Sequence, residues 1–162
     1  MNKRQKTQII EIQIRIKSVD VVEEYIDNTI ILNEALLENI NISLQTSYNA
    51  VSVADRAFAT IHKVVFYDKR KQKDENIISL ATKIVYQFHE DTWENLFDTK
   101  ENILNIPSST FNDIDLSSLG ALRGALVVLL RATSFKELII PLTYAPSEIA
   151  ENFTIDFNQT EK

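Results

Sequence analysis

From residue 8 to residue 18 apolar and polar positions alternate, with Ile10, Ile12, Ile14 and Ile16 on one side and Glu11, Gln13, Arg15 and Lys17 on the other. Period two with β-branched residues predicts a half-buried strand. Residues 19–38 are apolar without a clear period and read as a long, partly helical crossover. Three more alternating stretches follow. Residues 39–49 set Ile40, Ile42 and Leu44 on one face, and residues 55–67 set Phe58, Thr60, His62, Val64 and Phe66 against Ala57, Ala59, Ile61, Lys63 and Val65. Residues 76–90 bring Ile78, Leu80, Thr82, Ile84, Tyr86 and Phe88 into phase, and the turn 68–75 closes the last two strands into an antiparallel hairpin.

The pattern then changes period. Trp93, Leu96 and Phe97 suggest a short helical turn, and a linker runs through Pro107, Ser108 and Ser109. Ser117 or Ser118 fits the N-cap of a helix reaching Ala132. Every residue from Ala125 to Leu130 is apolar, so this helix has no polar side in its second half and must be buried on more than one side. It is too short to span a bilayer, which takes roughly 20 residues. Another subunit is the expected cover, with Leu122, Leu126, Val128 and Leu129 at the contact. An extended run Leu138–Ile140 leads to a last helix starting at Pro146 and bearing Ile149, Phe153 and Phe157. The expected fold is α+β: a four-stranded antiparallel sheet with two C-terminal helices packed on one face.

Length and charge narrow the picture. The 162 residues suit one domain, with an ordered core at about 8–157 and a polar tail at 158–162. The net charge is −6, and the cluster Lys69–Arg70–Lys71–Gln72–Lys73 runs straight into Asp74 and Glu75, so no nucleic-acid partner is expected. With no cysteine, thiol catalysis and cysteine-held metals are excluded. Both glycines, Gly120 and Gly124, lie in the helix, which leaves no glycine-rich phosphate loop. No signal-peptide stretch is visible, and the expectation is a cytoplasmic protein without membrane insertion.

Candidate chemistry is sparse. His62 and His89 fall on different elements without metal-ligand spacing, and no serine sits in a nucleophile elbow. The carboxylate pairs Glu23–Glu24, Asp74–Glu75 and Glu90–Asp91 fall at strand ends and turns, where solvent accounts for them. The expectation is a non-enzyme with no cofactor and no metal. Large apolar residues outside the alternating runs remain: Tyr25, Ile31 and Leu36 in the crossover, Ile149 and Phe153 near the C-terminus. They either plug the core or line a groove for another chain.

The order of elements, with Leu119–Gly120–Ala121–Leu122–Arg123–Gly124, Thr133–Ser134–Phe135 and Ile139–Ile140–Pro141–Leu142, resembles the SecB family of export chaperones. The resemblance implies an ATP-independent holdase that binds unfolded polypeptides through an apolar groove, here Tyr25, Ile31, Leu36, Ile149 and Phe153. It also implies a homotetramer built as a dimer of dimers. Arg15–Ile16 followed by Asp20 and Glu24 is similar to the strand with which the family docks the motor SecA. Where the family has a further acidic residue, this chain has Leu80, Ala81, Thr82 and Lys83. The clients implied are unfolded preproteins or, in a divergent branch, an antitoxin. A module that binds one specific folded partner is the alternative.

Overall fold

Alternation is what a strand half-covered by other elements requires, and each alternating stretch forms one. The computed structural model describes residues 11–71, 75–140 and 152–159. Its main strands are β1 (Ile14–Ile26), β2 (Ile40–Ser52), β3 (Ala57–Asp68) and β4 (Asn76–Phe88). They form one antiparallel sheet in the order β1-β4-β3-β2. Strands β2, β3 and β4 meander, while β1 crosses to the far side of β4, so the first two strands of the chain are opposite edges. The α+β class with a four-stranded antiparallel sheet is borne out.

The crossover differs from expectation. Strand β1 continues through Val19–Ile26, and the helical part shrinks to α1 (Glu34–Leu37). Two bulges explain why the sequence hid this. The register slips between Ile16 and Ser18 and again between Val21 and Glu23. Each extra residue breaks the period, so Val21 and Val22 stand side by side. Asn33 stops the chain and starts α1, its side-chain oxygen accepting from the Leu36 N–H at 2.9 Å.

The region after β4 differs more. Helix α2 (Glu90–Leu96) matches the expected helical turn, but Phe97 lies in β5 (Phe97–Asp98). The expected linker contains β6 (Ile103–Pro107), which pairs with β5 and with β7 (Asn152–Asp156) in a second sheet. Phe153 therefore lies on a strand and Phe157 in a 3-10 turn (Phe157–Gln159), not on a last helix. Pro146 and Ile149 lie outside the described residues, as do residues 8–10, 72–74 and 160–162.

Helix α3 (Ser108–Leu130) starts ten residues before Ser118. Phe111, Ile114, Asp115, Ser118, Leu119, Leu122, Leu126 and Leu130 make one buried stripe at helical spacing. Asp115 and Ser118 are polar members of that stripe, which disguised its first half as linker. Ser118 is a core residue, not a cap. The stripe lies across β3 and β4, on the sheet face carrying Phe58, His62, Phe66, Ile78 and Ile84. Leu119, Leu122 and Leu126 join Phe66, Ile78 and Leu80 in one apolar cluster, while Phe111 and Ile114 join Phe58, Phe88 and Trp93 in another. Each such side chain, fully buried, contributes about 1.5–3 kcal/mol.

Candidate interaction surface

Residues directly opposite on antiparallel strands point to the same side of the sheet. Ile16 faces Tyr86, Val19 faces Ile84 and Val21 faces Thr82 across β1 and β4. The β4 partners of this set are buried on the face that α3 covers, whereas Ile16, Val19 and Val21 remain about half exposed, at 53%, 53% and 52%. Helix α3 thus roofs the middle of the sheet and leaves an apolar shelf on edge strand β1. The helix adds apolar residues on its solvent side, with Val127 at 59% and Val128 at 75% exposed. Gly120 and Gly124 lie on that same solvent side, with no atom within 4 Å of an added Cβ.

Of the groove residues singled out in the sequence, the described ones, Tyr25, Ile31, Leu36 and Phe153, do not gather into one groove. Tyr25 faces Ser79 on the opposite side of the sheet from the shelf. Ile31 is 74% exposed at the crossover, but Leu36 is buried in the helix–sheet cluster with Leu122 and Leu126. Phe153 belongs to the cluster at the other end of the sheet, stacked on Phe111 at 3.8 Å between ring centroids. Leu36 is a core residue and Phe153 a partly buried one, and they belong to different clusters at opposite ends of the sheet. Leu122 and Leu126 are likewise corrected. Both are fully buried by this chain's own sheet, and Leu129 packs partly against the same cluster, leaving Val128 as the exposed member of that set. The shelf residues were missed because alternation assigned Ile16 to a buried face, and edge position cannot be read from a strand's own pattern.

Asp20 and Glu24 are both exposed on β1. Four residues apart on a regular strand they would share a face. The bulge between them changes the phase, so Asp20 faces Lys83 on one side and Glu24 faces Leu80 on the other. Glu23, their neighbour, accepts from Lys63 Nζ at 2.7 Å and from the Ser79 hydroxyl. The Lys63 bond first, then the Ser79 bond, outweigh desolvation and hold its carboxyl below the ordinary value.

A polar network lies under α3. Asp115 Oδ1 is 2.9 Å from His62 Nε2 and accepts from the Tyr48 hydroxyl at 2.8 Å. Ser118 shares bonds of 2.8 Å with Thr60 and with Tyr86. Burial alone would raise the Asp115 carboxyl, but the bonds from His62 and Tyr48 and the nearby imidazole pull it below its usual range. Ser118, His62 and Asp115 are the residue types of an acyl-transfer triad, yet the geometry is not that of a relay. The serine pairs with Thr60 and Tyr86, the imidazole Nε2 pairs with the carboxylate, and all three side chains are buried. The arrangement pins helix to sheet.

Among the described residues no cluster of three potential metal ligands occurs, and no helix is long and apolar enough to cross a membrane. No protein-family model matches the chain, and no curated protein does. Among solved structures it is similar to a SecB-like chaperone of Mycobacterium tuberculosis, in complex with a ChAD peptide from the HigA1 antitoxin. The identity is 10%, the TM-score 0.47, and the match covers 80% of this chain and 90% of that one. A likeness at that level assigns this chain neither a family nor a function.

Proposed function

We propose that this chain binds extended polypeptides without a chemical step, as an ATP-independent holdase, with the shelf on β1 beside α3 as the contact surface. One observation carries the reading: Ile16, Val19 and Val21 line up, half exposed, on a strand that is an edge among the described residues and whose outer backbone groups suit addition of another strand. The resemblance of Leu119–Ile149 to the SecB family favours the same reading. It brings the same candidate clients, unfolded preproteins or an antitoxin. Docking of SecA takes second place, because Asp20 and Glu24 face opposite sides of the sheet and do not make one acidic patch.

Magnitudes favour several sites acting together. Three half-exposed side chains, once covered, contribute about 1 kcal/mol each. A total of about 3 kcal/mol is weaker than millimolar binding. Backbone pairing along β1 and several shelves on one assembly raise it, which fits the homotetramer implied by the resemblance. The net charge of −6 favours clients with basic stretches, and salt weakens that part of binding.

The test is suppression of aggregation of an unrelated unfolded protein at near-stoichiometric ratio. Wild type is expected to suppress it. Val19→Ser with Val21→Ser should remove most of the effect while shifting the melting temperature by only a few degrees, since both residues are half exposed. Full activity in the double variant rules out the shelf. No suppression by wild type leaves a module for one specific partner as the better account.

A further inference from the structure

A cavity of about 450 Å³ opens at the end of the sheet where β1 begins and β4 ends. Register brings its walls together from three distant segments. Gln87 on β4 lies opposite Arg15 on β1 and opposite Ala57 on β3, and Arg56 immediately precedes Ala57. Both arginines line the cavity, with Phe88 among its apolar walls. We propose that this cavity binds a small oxyanion, a carboxylate or a phosphate group, between the guanidinium groups of Arg15 and Arg56.

Three features support it. Arg15 is held in place: its Nε and Nη2 both donate to Gln87 Oε1, at 2.9 and 2.6 Å, and Gln87 Nε2 donates to the Asp55 carbonyl at 2.8 Å. That leaves the rest of a planar donor fork oriented without a further side-chain rotamer to freeze. Arg56 has donors to spare. Its Nε is buried without a hydrogen-bond partner among the described residues, and its Nη1 makes only a long ion pair, 3.7 Å, with Glu90 Oε1, a carboxylate that also lines the cavity and that an incoming anion has to displace from Arg56. A buried, unpaired guanidinium N–H is costly, and an oxyanion accepting from it removes that cost. Finally, Arg56 has a left-handed backbone, with φ of 54°. Asparagine takes that conformation readily, as Asn102 does here at 57°; arginine does so at a cost, and such residues concentrate at binding sites.

The strain at Arg56 yields a discriminating variant. Arg56→Gly relieves the backbone and deletes the guanidinium, so its effects on folding and on binding should have opposite signs. The measurement is a backbone-amide NMR titration of the whole chain at low ionic strength, with inorganic phosphate and acetate in separate arms. Saturable shifts at Gln87, Phe88 and Arg56 with either anion are expected, and the arm that saturates first identifies the preferred group. Arg56→Gly should melt at or above the wild-type temperature and lose about tenfold in affinity or more. Arg15→Gln, on the exposed side of an edge strand, should lose a comparable factor. The absence of saturable shifts in both arms overturns the proposal. So does wild-type affinity in Arg56→Gly, or shifts spread evenly over surface lysines.

Discussion

Asp115 is the residue on which the helix–sheet contact turns. It sits on α3, but its partners Tyr48 and His62 belong to β2 and β3, so one carboxylate ties three elements together. Its folded acid is stronger than in the unfolded chain, so its stabilisation is complete above the ordinary carboxylate value of about 3.9. It is lost as pH falls through the lower folded value. Asp115→Asn should therefore cost about 1–3 kcal/mol at neutral pH. The gap to wild type should narrow in acid, as the wild type gives up the same contribution. Denaturant melts from pH 7 down to about 3 check this; equal stability at pH 7 would remove the pin. Half of it was legible. A strand histidine among apolar neighbours reads as a structural group, and His62 is buried and bonded through Nε2, while its Nδ1 has no partner among the described residues. Its partner was not legible, because Asp115 stands in a stretch that looked like linker.

At the scale of elements, the legible ones were those whose period ran unbroken. Strands β2, β3 and β4 lie within a few residues of their expected limits. Strand β1 was cut short on paper because its bulges put apolar residues on consecutive positions. Strands β5, β6 and β7 are two to five residues long and carry too few positions to show a period. The second half of α3 was legible as a helix, but not which side its own sheet covers. That distinction now has a test. Val128→Glu adds a charge to a side chain 75% exposed in the single chain, so the fold should survive within about 0.5 kcal/mol. If α3 meets another subunit, the same change should split the assembly in sedimentation. Wild-type protein that is already monomeric at micromolar concentration ends the subunit reading.

On the scale of the whole molecule, which of the candidate groove residues lie together was hidden in the sequence for a topological reason. Residues were grouped by what alternation left unexplained, whereas proximity is set by strand order. Strand order places Leu36 and Phe153 in different clusters and leaves Ile16, Val19 and Val21 beside the roofing helix. The same order predicts uneven protection of backbone amides. Strands β3 and β4 are paired on both sides, and β1 on one. In hydrogen exchange, amides of β1 should exchange through a smaller opening than those of β3 and β4, with less protection by about tenfold or more. Uniform protection across the sheet would show that β1 is released only in global unfolding.

The position of β1 at the far side of β4 also sets a timetable. The hairpins β2–β3 and β3–β4 close short loops, but β1 must wait for partners as distant as Gln87, 72 residues beyond Arg15. Closing a longer loop costs more entropy before any contact is gained, which slows that step. On the ribosome β1 emerges first and then has nothing to pair with until β4 follows. Through that interval its valines and isoleucines are bare, and the outer edge of β4 stays open once formed. Within the four-stranded sheet, the first strand made is the last one placed.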